Sequence, residues 1–330
     1  MLPASNYYNQ VLDMSKVTHA QGCHRATLPR GVVHVGQSSS LALGVNLIHS
    51  SRADSMARQE TLGRAQYEEI YRRFVLFDLA EDMDLGFFLA YYRNFAVPSL
   101  AKSLEATGEI RSRPQKRSYD TAIVTYEIIA GGLDSERGQA MVSLLRNVHR
   151  GVPGSNADFV YVLMTMLVVP IRWVDQHGWR PSLDIEKQAA VDFFAELGVR
   201  MGLRDIPRDF AHAEDFLNIY EREHVAASPS GLSLMRSTLG VLRGRLPLPF
   251  RPLTEYLLTA MLADERLAAA LGLPRPSPFL VKALGGLLRF RASVASRRPL
   301  RTTARFKPGL SGSSQYPSGY ALEDLGPRGR

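Results

Sequence analysis

A single cysteine, Cys23, is all the thiol in this 330-residue chain. That excludes an internal disulfide framework and a four-cysteine zinc site. A reducing compartment is the simplest home, and a disulfide-free exported protein is the other. Cys23 with His24 makes no nucleophile pair, because both fall in an irregular arm. No glycine-rich phosphate loop ends in Lys and Ser or Thr. No dinucleotide glycine fingerprint follows a strand, and there is no serine nucleophile elbow. His-Glu-x-x-His is also missing, since Glu223-His224 has no second histidine three residues on. The first residues carry Asn, Gln and Asp13 rather than the apolar core of a secretion signal. The longest apolar run, Phe159 to Ile171, is interrupted by Thr165 and falls short of a bilayer span, so it reads as a buried helix. The expectation is a soluble, cytoplasmic protein. Strand signals are nearly absent, and Val32 to Val35 is too short to count as one.

Hydrophobic residues make up 45% of the chain, enough for a sizeable core, and net charge is +8. Arginine outnumbers lysine, and alanine, leucine and glycine are common, as in a high-GC bacterial proteome. The positive excess is uneven. Arg289, Arg291, Arg297, Arg298, Arg301, Arg305 and Lys307 fall within residues 289–307, which hold no Asp or Glu. Such a segment is a solvated end, or it meets phosphates or anionic headgroups without base specificity. The middle helices are too apolar to read DNA as a helix-turn-helix, so no specific nucleic-acid partner is expected.

From about Thr61 the apolar residues recur at three and four positions, the helical period. Tyr67, Ile70, Tyr71, Phe74 and Phe77 open the series. Asp84 is placed to cap a second helix carrying Phe87, Phe88, Tyr91, Tyr92 and Phe95. Gly108 ends a short helix. Ser118 or Asp120 opens the next, which Gly131-Gly132 closes. A helix over about 135–150 follows, and Asp158 caps the apolar run, in which Pro170 predicts a kink or early stop. Further helices start at Asp184 or Ser182, around Phe216 to His224, and over 252–271 and 278–291, with loops at 229–231, 244–252 and 272–278. The reading is an all-α fold: an irregular N-terminal arm over 1–60, one helical domain over 61–290, and a basic, flexible C-terminal tail over 291–330.

His149 is the residue that most invites chemistry. Met141, Leu144, Leu145 and Val148 form one helical stripe, and His149 continues it four residues after Leu145. A histidine at the edge of an apolar face, with Arg146 before it, holds a metal or haem iron, or is an ordinary buried histidine; spacing alone leaves both open. A non-haem iron site from His149, Asp120 and His224 is a further alternative that no spacing demands.

A set of short motifs narrows the choice by its order. Tyr92-Arg93-x-Phe95-Ala96-Val97-Pro98-Ser99 is followed by Thr107-Gly108-Glu109 and Lys116-Arg117-x-Tyr119-Asp120-Thr121. Arg146-Asn147-x-His149-Arg150 and Pro170-Ile171-Arg172-Trp173 come next. Gly178-Trp179-Arg180-Pro181, Met201-Gly202-Leu203 and Asp205-Ile206-Pro207 close the series. With these, roughly residues 67–225 resemble the bacterial DUF2236 family, grouped with the fungal ER-bound oxygenase of mycophenolic acid biosynthesis and with the rubber oxygenases called latex clearing proteins.

The resemblance implies a single globin-like helical domain, related to the latex clearing protein core, that binds haem b. The iron-ligating histidine falls on His149, the distal arginine and threonine on Arg117 and Thr121, and the arginine before the ligand on Arg146. The rubber enzymes carry a lysine directly before that threonine. Here the position is Asp120, which cannot replace a neutral amine and puts rubber cleavage in doubt. A carboxylate there orients substrate, pairs with Arg117 or caps the helix. Arg146 and Arg150 are candidates for haem propionates, and Leu145 with its stripe, then Phe159, Val162, Leu163 and Met166, for a dry wall. Glu127 is a weaker base candidate, more simply a helix-surface carboxylate. The implied partners are dioxygen or peroxide, a hydrophobic or lipid-like substrate and an electron donor, with peripheral contact between the basic tail and anionic membrane. The alternative class is a non-catalytic helical protein binding haem, lipid or a partner.

Overall fold

The aromatic and aliphatic periodicity from Tyr67 onward builds helices throughout. The computed structural model describes residues 66–310 and 315–326. The arm over 1–60, with Cys23, His24 and Val32 to Val35, lies outside the described residues. In chain order the helices are α1 (Tyr67–Arg73), α2 (Ala80–Arg93), α3 (Pro98–Ala106), α4 (Glu109–Ser112), α5 (Pro114–Gly131), α6 (Glu136–His149), α7 (Asn156–His177), α8 (Asp184–Arg200), α9 (Phe210–His224), α10 (Pro229–Arg245), α11 (Thr254–Leu262), α12 (Glu265–Ala270) and α13 (Pro278–Ser296). A π-helical turn (Phe74–Asp78) links α1 to α2, and 3-10 turns occupy Asn94–Ala96, Leu248–Leu253 and Leu322–Asp324. Among the described residues there is no sheet, only an isolated antiparallel bridge between Lys307 and Leu310. The all-α expectation holds.

α7 is the central rod. Its N-terminus is closed by a capping box: Asp158 N–H donates to the Ser155 hydroxyl, and Ser155 N–H returns to the Asp158 carboxylate at 2.8 Å. The cap is therefore Ser155, with Asp158 as its reciprocal partner. The predicted stop at Pro170 does not occur, and the helix continues to His177. α2 packs along α7 in the most extensive helix pair of the fold. Gly86 permits this approach, since a Cβ there would lie 2.2 Å from Pro170 Cα. With 22 residues and a most apolar window of mean hydropathy 1.6, α7 is long and apolar enough to cross a membrane, contrary to the estimate from the bare run. That window is 72% buried inside the protein.

Four boundaries depart from the sequence reading, the first being that the single helix expected over 252–271 is split into α11 and α12 at Ala263, which has φ 52°. α2 begins at Ala80, so Asp84 lies inside it, buried, accepting from the Tyr126 hydroxyl and Arg305. α5 begins at Pro114, a residue suited to the first helical turn, so Ser118 and Asp120 are interior. Residues 229–231 are not a loop: Ser228 caps α10 and Pro229 is its first residue.

The basic stretch from the last turns of α13 onward folds back onto the core. Arg291 meets Asp82, Arg301 meets Glu81, and Arg305 meets Asp84, all near the start of α2. Phe306 is buried and stacks on Tyr126. Three of the seven charges that suggest a solvated tail, Arg291, Arg301 and Arg305, dock it instead, because α2 presents acids near its start.

Candidate functional site

α5 and α6 pack as an antiparallel hairpin through Gly131-Gly132, with Gly132 at φ 81°. This brings the start of α5 beside the end of α6. Ser135 caps α6 by accepting from Gly138 N–H at 2.9 Å. The helix then delivers His149 to its last turn.

His149 Nδ1 lies 2.7 Å from the Leu145 carbonyl. A carbonyl only accepts, so Nδ1 carries the proton and Nε2 is left with its lone pair. No hydrogen bond reaches Nε2 among the described residues. Burial pushes the imidazole pKa below its usual 6.5, the Leu145 bond opposes this, and the nearby Arg117 charge adds to the lowering. The Phe159 ring meets the imidazole edge-on, with centroids 5.8 Å apart.

Around this ring the apolar stripes are left half-buried rather than sunk in the core. Leu144, Leu145 and Val148 form one on α6; Phe159, Val162 and Met166 form another on α7. On α5, Arg117 donates to the Thr121 hydroxyl, which itself donates to the Arg117 carbonyl at 2.9 Å. The guanidinium and hydroxyl thus hold each other one turn apart. Arg146 and Arg150 are exposed, without an ion-pair partner among the described residues; Arg150 reaches the Asn147 side chain at 3.4 Å.

Asp120 does not pair with Arg117. Its oxygens accept from Lys116 at 2.6 Å, from the Tyr316 hydroxyl at 2.6 Å and from Gly326 N–H at 3.0 Å. Lys116 also donates to the Asp324 carbonyl at 2.8 Å. Glu127 is no surface carboxylate: it is fully buried, paired with Arg137, and accepts from Gly309 N–H and the Tyr320 hydroxyl. Burial raises its pKa, but the Arg137, Tyr320 and Gly309 hydrogen bonds bring it below the ordinary value. These two acids anchor the C-terminal segment on α5. Lys116 and Arg137 are local partners, but no local pattern signals Gly309, Tyr316, Tyr320 and Gly326, which come from nearly 200 residues downstream.

The described residues contain no cluster of three His, Cys, Asp or Glu able to hold a metal ion. His224 stacks on Tyr220 with its Nδ1 3.0 Å from the Tyr220 carbonyl, and forms no triad with His149 and Asp120. A cleft of about 390 Å³ between α2, α7, α9 and the α11–α12 turn excludes His149; its Arg93 and Arg172 already pair with Glu221 and Glu214.

Among the described residues the fold is all-α, and the His149 imidazole lies near Arg117 on a half-buried apolar helical face. The family described as "ER-bound oxygenase mpaB/B'/Rubber oxygenase, catalytic domain" matches residues 80–292, and the chain belongs to it. It is 24% identical to the ER-bound oxygenase mpaB' of Penicillium brevicompactum, with 72% of each chain covered. It is 26% identical to the ER-bound oxygenase mpaB of Penicillium roqueforti, over 55% of this chain and 67% of that one. A solved structure of latex clearing protein in the closed state superposes with a TM-score of 0.47 at 17% identity, over 72% of this chain and 68% of that one. The cytoplasmic placement expected from the sequence is overturned by these relatives, which are named as ER-bound.

Proposed function

We propose that the chain is a haem b-dependent oxygenase acting on a hydrophobic organic substrate, and that His149 would hold the iron. The observation that carries this is the Nδ1–H bond from His149 to Leu145, which leaves Nε2 unprotonated. Ligating histidines are fixed in this way, by a second-shell acceptor on the other ring nitrogen. Family membership supports oxygenase chemistry. A single imidazole suffices for porphyrin iron, so the reading does not require a cluster of protein ligands.

The residues present fit such a group. The half-buried faces of α6 and α7, with Leu145 and Phe159 nearest the ligand, give it dry walls. Arg146 and Arg150 are available for forked contacts with propionates. When bound, haem supplies the activation of dioxygen or peroxide, and the organic chemistry belongs mainly to it. Arg117, held by Thr121, contributes a fixed cation that favours negative charge on an oxygen brought to its side. Asp120 acts by position, tying the C-terminal segment to the helix that carries Arg117 and Thr121. An electron donor is required if only one atom of dioxygen enters the product.

Reconstitution with haemin tests this. The wild-type chain should show a Soret band that shifts when dithionite and carbon monoxide are added. His149→Ala should lose the band or retain haem weakly, with helical circular dichroism unchanged. Equal haem retention by His149→Ala would remove the ligand assignment, and no band in the wild type would remove the haem reading altogether.

A further inference from the structure

We propose that the outer face of α13, with the neighbouring 3-10 turn Leu248–Leu253, docks on an anionic lipid surface. Phe279, Ala283, Gly286 and Phe290 recur at four, three and four residues and share one meridian of the helix. That meridian faces outward: Phe279 is 81% exposed and Phe290 56%. At 1.5 Å per residue the two phenylalanines stand about 16 Å apart along the axis. The helix core contacts lie on another side, where Leu288 is buried.

The turn presents two more bare apolar side chains, Leu248 at 73% and Phe250 at 46% exposure. The turn leads directly into α11, on which α13 packs. Large apolar residues gathered in water mark an interaction surface rather than ordinary solvation.

Charge selects the partner. From Arg266 to Leu322 the chain has no Asp or Glu. Arg275, Arg291, Arg301 and Arg305 are neutralised by Glu265, Asp82, Glu81 and Asp84. Lys282 and Arg289 border one side of the apolar meridian, without an ion-pair partner among the described residues. Arg297, a turn beyond, bonds to Ser293. An apolar stripe with cations and no acid beside it is the pattern of a helix lying in the membrane interface. The surface also departs from the basic-tail expectation: Arg301 and Arg305 of the tail are engaged with α2, so the contact moves to α13. The proposal is independent of whether His149 holds iron.

Flotation of the full chain with phosphatidylcholine vesicles, with and without phosphatidylserine, tests it. The protein should float with the serine-containing vesicles at low salt and be released as salt rises. Lys282→Gln with Arg289→Gln should reduce partitioning about thirtyfold. Phe279→Ser with Phe290→Ser should abolish it without changing the melting temperature. As a direct readout, Phe279→Trp should shift its emission to the blue on vesicles. Undiminished flotation of both double variants, or a Phe279→Trp emission blind to vesicles, overturns the proposal. So does an absence of vesicle binding together with a wild-type dimer that Phe279→Ser dissociates, because the face is then an interface between copies.

Discussion

His149 is held in one tautomer by a carbonyl of its own helix, and this sets how the site responds to acid. Burial lowers its pKa beneath 6.5, so the folded state favours the neutral ring. Above pH 6.5 folded and unfolded chains both carry it neutral, and nothing is lost. As pH falls through 6.5 the unfolded chain takes up the proton first, and stability declines towards the folded pKa. His177, also lowered by burial with Arg291 adding to it, acts in the same sense. The apo-protein should therefore melt at a constant temperature from pH 8 to about 7 and progressively lower below about 6.5, the ordinary histidine value. In His149→Ala this acid slope should shrink. A thermal melt series across pH measures both. Asp120 makes the complementary point: the residue type reads as chemistry, while its partners Lys116, Tyr316 and Gly326 make it an anchor.

Helix α7 owes its place to two short features at the scale of the element. Its capping box orders the start, and Gly86 on α2 lets the backbones meet at Pro170. The proline tolerated at that crossing shows that a breaker need not break a helix whose surroundings are fully packed. Gly86→Ala should destabilise the fold by about 3 kcal/mol, because the added methyl meets backbone that cannot rotate away. Urea denaturation would register this as a lower midpoint at an unchanged slope. Much of the element layout was legible: the periods of α5 to α8, the Ser135 region and the Gly108 and Gly131-Gly132 stops follow from local pattern. Asp84 and Asp120 misled as caps because an acid near a helix start reads the same whether it bonds its own backbone or a distant side chain. α10 was hidden by Pro229 and Gly231, which signal a loop and here form a first turn.

The whole molecule is closed by long-range charge. Arg291 within α13, and Arg301 and Arg305 after it, hold the end of the chain to the first turns of α2, and Tyr316 and Tyr320 seal it onto α5. Arg305 and Asp84 are both over nine-tenths buried, so the pair matters mainly when one member is removed. Arg305→Ala should cost about 3–5 kcal/mol by leaving the Asp84 carboxylate uncompensated. Arg305→Ala with Asp84→Asn should recover part of that loss, as a double-mutant cycle on thermal melts would reveal. Burial already pushes the Asp84 pKa up, and Arg305 opposes it, so the single variant should protonate Asp84 more readily still.

By itself the sequence determined the all-α class, most helix stops, the family and the histidine worth testing. Each is written within a few turns of chain, where side chains three and four residues apart share a face. Only the tertiary structure decided that Asp84, Asp120 and Glu127 are structural anchors, that the arginine-rich end is docked, and that Phe279 and Phe290 face outward. Those outcomes depend on which groups meet across some 200 residues, and on which surfaces then remain in water. Neither leaves a local period to read.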